Sequence, residues 1–136
     1  MRRDATLEAV CALGELELAL IDLRSVYQTS HHFASDVRNQ LKRDLANDMK
    51  AQQKASVSGV AECDAKFYRS MFVADLCVGK EFGNSLSRYF QAVNSIVEEA
   101  KNGNPEFCTS EKLKEIVDLS KEVIHVARKK LNIRNT

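Results

Sequence analysis

The chain has 136 residues, enough for one domain with its own core, and its 44% hydrophobic and 29% charged residues argue against wholesale disorder. Twenty basic and nineteen acidic residues leave a net charge of +1, without the basic excess of a dedicated nucleic-acid binder. No apolar run approaches the ~20 residues that span a bilayer. Acidic residues closely follow Arg2 and Arg3, unlike in a transit or secretory leader, so we expect an intracellular protein, cytoplasmic or else nuclear.

Helix formers dominate the sequence, and β-branched alternation bounded by turn residues is absent. A single proline and five glycines offer few points at which helices can end. We predict an all-α fold: one domain, an antiparallel bundle of four helices, with three long helices as the alternative. The predicted helices cover approximately residues 4–27, 35–56, 61–102 and 109–131.

The first predicted helix is apolar on two nearly opposite faces, because each helical residue advances about 100° around the axis. One face consists of Leu7, Val10, Cys11, Gly14, Leu18 and Ile21, and the other of Leu13, Leu16, Leu20, Leu23 and Tyr27. One face can pack into the bundle, and the other needs either more of this chain or a partner. We predict that the face from Leu13 to Tyr27 binds the partner.

The segment "QTSHHFASDV", residues 28–37, is predicted to join two helices, with Ser35 or Asp36 capping the second. Adjacent helical residues diverge by about 100°, so His31 and His32 cannot chelate one ion from a regular helix. In a loop they could, but no nearby carboxylate or cysteine completes a set at metal-ligand spacing, so no metal site is predicted.

The second predicted helix has few apolar residues to bury and is expected to be a solvated edge helix. Arg43, Lys50 and Lys54 share one of its flanks, where three aspartates dilute the positive field. Gly59 stands among serines and alanines, and we predict the turn into the third helix there.

The third predicted helix contains a segment, Met71 to Val78, that is apolar nearly all round and forms a second candidate partner surface. Within it, Asp75 falls on the core stripe, where a carboxylate needs a hydrogen-bonding partner or a proton. We therefore predict that Asp75 is a buried polar hub. Gly79 and Gly83 indicate either close approach of another helix or a break in this one.

The last predicted helix has one broad core stripe and begins at Thr109, a good N-cap. Glu122 and His125 match the Glu-x-x-His spacing of di-iron bundles, but they lie opposite that stripe and are predicted to face solvent. The four cysteines are widely spaced, and we predict buried, reduced thiols rather than disulfides.

These patterns predict a non-enzymatic module that binds another protein, or a second copy of itself, through an extra apolar helix face. The first alternative is a membrane-surface or polyanion-binding module that uses the basic second helix and the tail "ARKKLNIRNT". The second alternative is an enzyme centred on Asp75. No catalytic set, cofactor or small-molecule substrate is predicted, because none of the familiar catalytic or nucleotide-binding motifs occurs.

Overall fold

A computed structural model describes the backbone of residues 2–34, 40–102 and 106–132, with the side chains of residues 29–34, 40–46 and 49 outside the description. Four helices and no strand occur in these ranges, which confirms the all-α prediction. They are α1 (Arg2–Ala34), α2 (Gln40–Cys77), α3 (Lys80–Lys101) and α4 (Ser110–Lys130).

The helices form two antiparallel hairpins that pack into a bundle. In the first hairpin, Asp22 of α1 accepts a hydrogen bond from Ser56 of α2, and Glu15 of α1 pairs with Lys66 of α2. Residue numbers therefore rise along one helix as they fall along the other. The second hairpin joins α3 to α4, and packing of α2 on α3 and of α1 on α4 closes the bundle.

The predicted turn at Gly59 is wrong, because α2 runs without interruption from Gln40 to Cys77. The true break lies twenty residues later at Gly79, whose φ of 118° is accessible to glycine and strained for other residues. A break near this position was one of the sequence-based alternatives. Gly59 is helical in spite of its weak propensity, since packing against α1 supports the helix there.

The predicted joint at residues 28–35 is also displaced, because α1 continues to Ala34. His31 and His32 therefore belong to a helix and not to a loop. Ser35 and Asp36, the predicted caps, lie outside the described residues. At the other hairpin the prediction is confirmed: α3 ends with Asn102 as its C-cap, and the Thr109 hydroxyl caps α4 by accepting a hydrogen bond from the Lys112 amide at 3.2 Å.

The core lies between all four helices and extends into the segment that precedes α4. Phe67 packs against Tyr89 and Phe90 with ring centroids 5.6 and 5.8 Å apart, which joins α2 to α3. The largest fully buried side chains are Leu16, Leu20, Leu23, Val60, Phe67, Phe82, Leu86, Tyr89, Val93, Phe107, Ile116 and Val123.

Candidate interaction surface

The α1 face predicted to bind a partner is instead part of the core. The leucines at positions 13, 16, 20 and 23 are all buried, and Tyr27 packs edge-on against Phe107 with centroids 5.1 Å apart. The prediction that α1 has two apolar faces is confirmed. The prediction that the face from Leu13 to Tyr27 is the one open to a partner is wrong. Both faces carry the same residue types, so the choice depends on where the other three helices pack.

The opposite face of α1 is the open one. Leu18 is 70% exposed, and Leu7 and Ile21 are each more than 40% exposed. Cys11 is also exposed, and a Cβ placed on Gly14 would meet no atom within 4 Å. These five residues are spaced by four, three, four and three positions. This is the spacing of a coiled-coil contact line, with a notch at Gly14 into which a partner side chain can fit.

On α2, the second candidate segment proves to be only partly exposed. Its two ends, Met71 and Val78, are half-buried and buried respectively, so neither offers an open surface. The residues between them do: Phe72 is 61% and Leu76 is 71% exposed. Val73 and Tyr68 complete the exposed apolar set on this helix.

The exposed stripes of α1 and α2 belong to the same hairpin. On each helix most of the stripe lies away from the residues that enter the shared core. Tyr68 is at the edge of the α2 stripe, where its ring packs against Phe90 of α3 with centroids 5.6 Å apart. Counting from the Glu15–Lys66 pair, Leu7 comes level with about residue 74 of α2. We call this surface the outer face. It comprises Leu7, Cys11, Gly14, Leu18 and Ile21 of α1 and Tyr68, Phe72, Val73 and Leu76 of α2.

A row of acidic residues borders the α1 stripe. Glu8, Glu15 and Asp22 recur every seven residues along the edge that faces α2. Glu15 is matched by Lys66, and the Asp22 carboxylate accepts the Ser56 hydroxyl at 2.9 Å. Glu8 is exposed, with no ion pair among the described residues. The edge is therefore acidic, though one of its three charges is locally compensated.

Asp75 is not a buried hub, and this prediction is wrong. The side chain is exposed, and it lies against Gly83 in the first turns of α3. A Cβ at Gly83 would overlap Asp75 Oδ1 and lie 3.0 Å from Cγ. Gly83 therefore allows the close approach that the sequence suggested, but the group that approaches is a carboxylate at the helix N-terminus, where negative charge is favoured.

Three polar side-chain atoms in the described part of the chain are buried without a hydrogen-bond partner: Glu17 Oε1, Asp64 Oδ1 and Tyr89 Oη. Burial raises the pKa of the Glu17 carboxyl and of the Asp64 carboxyl, the latter opposed by the charge of Lys101. Burial, and to a smaller extent the charge of Glu17, raises the pKa of Tyr89 well above its usual range. A buried polar atom without a hydrogen-bond partner costs free energy, so each of these groups lowers the stability of the fold.

The free thiols and the Glu-x-x-His motif of α4 are the remaining candidates for chemistry from the sequence. All four cysteines are free, as predicted, but only Cys108 is buried, and burial raises its pKa. His125 and Glu122 are both exposed, which confirms the prediction that they face solvent, and Glu122 forms an ion pair with Arg88 across the second hairpin. Among the described residues, no group of three or more potential ligands is placed to hold a metal ion.

Two clefts lie at the end of the bundle where α2 begins. One, of about 450 Å³, is bordered by Arg24, whose Nε donates to the Cys108 carbonyl oxygen at 2.8 Å. The other, of about 640 Å³, is lined by Tyr27, Lys50, Gln53, Lys54, Val57, Ser58 and Lys101. Lys50 and Lys54 were identified as one basic flank of the second helix. Lys101 could not be added from sequence, because it comes from a different helix.

No protein-family model, curated protein or solved structure matches this chain. Within the described residues, no helix combines the length and apolarity needed to cross a membrane. What the chain does must therefore be inferred from its own surface.

Proposed function

We propose that this protein is a non-enzymatic interaction module whose outer face binds an amphipathic helix of another protein. One observation carries the proposal: among the side chains that the structure describes, seven large apolar ones are exposed, and all seven belong to the α1–α2 hairpin. Side chains that are 42–71% exposed contribute little to the fold, and grouped apolar exposure of this kind marks interaction surfaces in monomers.

The geometry of the face favours a helix as the bound element. The α1 stripe has heptad spacing, and the Gly14 notch lies midway along it, so a straight apolar helix can lie along α1. Exposed aromatic and aliphatic groups of α2, Phe72 and Leu76 among them, border the same surface and can cover the second side of that helix. Burial of apolar area at about 25 cal/mol per Å² would drive the association.

Charge favours a partner helix with basic residues beside its apolar stripe. The exposed Glu8 and the neighbouring acids form one edge of the α1 stripe. On the other edge, Arg24 is held by the Cys108 carbonyl and Glu17 is half-buried, so little positive charge balances the row. In an antiparallel pairing of two α1 stripes, the acidic rows would lie beside one another, which disfavours a second copy as the occupant.

Binding of designed peptides tests the proposal. A helical peptide with leucines at heptad spacing and lysines beside them should bind, as measured by fluorescence anisotropy. The same peptide with glutamates in place of the lysines should bind at least about tenfold more weakly. Leu18→Glu should abolish binding, whereas Ser95→Glu, an equal charge change at an exposed site on α3, should not.

The mass of the free protein in solution decides between the two kinds of occupant. Light scattering coupled to size-exclusion chromatography should give the 15.3 kDa monomer across a wide concentration range. If the protein forms a stable dimer and Leu18→Glu dissociates it, the occupant of the outer face is a second copy of this chain and not a helix of another protein. Equal binding of lysine-flanked, glutamate-flanked and scrambled peptides would refute a specific helix site.

A further inference from the structure

We infer that the cleft between Tyr27, the first half of α2 and the end of α3 is a binding site for a phosphate-type anion. Three lysines from two helices line it: Lys50 and Lys54 from α2, and Lys101 from α3. None of the described residues that line it is acidic. The site is independent of the outer face and of the function proposed for that face.

The three ammonium groups are poorly compensated by the rest of the fold. Lys50 and Lys54 are four residues apart on α2, a like-charge spacing that destabilises a helix. Neither makes an ion pair with a described residue. Among the described residues, Lys101 has a long contact of 3.9 Å with Glu98 and the nearby charge of Asp64. An anion in the cleft would reduce the repulsion between the three ammonium groups, and this reduction would favour its binding.

The remaining lining residues fit a phosphate group joined to an organic body. The Gln53 amide and the Ser58 hydroxyl supply hydrogen-bond donors beside the lysines. The Tyr27 ring, fixed edge-on against Phe107, and the half-buried Val57 supply an apolar wall. Lysine binds phosphate as a mobile point charge, which suits an open cleft of this size.

The chemistry is shared by soluble phosphate compounds and by lipid headgroups that carry a phosphate monoester. The first probe is tripolyphosphate, titrated into the labelled protein and followed by amide chemical shifts. Shifts should concentrate at Tyr27, Lys54, Val57 and Lys101. The second probe is sedimentation with phosphatidylcholine vesicles, with or without phosphatidylinositol phosphate.

Matched triple variants identify the site. Lys50→Gln with Lys54→Gln and Lys101→Gln should weaken the binding of tripolyphosphate at least about tenfold. The control, Lys80→Gln with Lys114→Gln and Lys121→Gln, removes the same charge from exposed positions elsewhere and should retain the affinity of the native chain. Glutamine preserves helix propensity, and circular dichroism checks that both variants fold.

Each outcome has one meaning. Cleft-dependent binding of tripolyphosphate alone assigns a soluble phosphate ligand, and cleft-dependent binding of the phosphoinositide vesicles assigns a lipid headgroup. Binding of neither probe overturns the site. Equal loss in the two triple variants also overturns it, because the interaction would then follow overall charge and not the cleft.

Discussion

The two hairpins of the bundle differ in what they expose. In the α3–α4 hairpin each helix buries one apolar face, and ion pairs connect the outer sides, including Lys112 with Glu99 and Lys129 with Glu81. In the α1–α2 hairpin both helices bury one apolar face and expose another. Surface ion pairs contribute about 0–1 kcal/mol each, so they do not make the second hairpin much more stable. The difference lies in which surface remains available for another molecule.

The largest expected change in stability distinguishes the buried face of α1 from its exposed face. Leu16→Ala removes a fully buried side chain and should lower the free energy of unfolding by about 2–5 kcal/mol. Leu18→Ala, two residues away, should change it by less than about 0.5 kcal/mol. Urea denaturation of both variants measures the contrast, and comparable losses would mean that the outer face is covered by the chain itself.

A smaller effect should mark the junction between the hairpins. Gly79→Ala forces a side chain into a φ of 118° and should cost about 1–3 kcal/mol. No atom lies within 4 Å of the added Cβ, so the loss reports backbone strain and not a clash. Thermal and urea unfolding measure it. An unchanged stability would place the break between the hairpins elsewhere.

A gain in stability should come from the middle of α2. Gly59 is helical and a Cβ there meets no atom within 4 Å, so Gly59→Ala should raise the free energy of unfolding by about 0.5–1 kcal/mol. A turn at this glycine, as the sequence suggested, would make the same change neutral or harmful. Denaturant midpoints of the native chain and the variant decide between these structures.

The smallest effect should depend on pH. Burial raises the folded pKa of Glu17 above its unfolded value, so the folded state binds this proton more tightly, and stability falls as pH rises through that raised pKa. Glu17→Gln should therefore increase stability at about pH 7, by less than about 1 kcal/mol, with the gain vanishing at about pH 3. A gain of equal size at both values would point to packing and not to ionisation.

The sequence predicted the helical class and the second hairpin well, because the signals there are local. Thr109 caps α4. Since α4 has a single apolar stripe, the sequence shows directly which side of this helix is buried. The first hairpin was harder. Spacing reveals two faces on α1 but cannot choose the inner one, and Gly59 and Gly79 are both plausible breaks until packing on α1 and α3 decides. Asp75 was misplaced because the core row at this end of α2 consists of Ala74 and Val78, which leaves Asp75 at the exposed border with Gly83 of α3.

The reactivity of the four native thiols tests the outer face most directly. Alkylation followed residue by residue by mass spectrometry should modify the exposed Cys11 fastest and Cys108 slowest, since burial raises the pKa of the Cys108 thiol. The lysine-flanked helical peptide should then protect Cys11 selectively and leave the order of the other three unchanged. A Cys11 as slow as Cys108 in the free protein, or one that the bound peptide leaves unprotected, would contradict the assignment of this face to a partner helix.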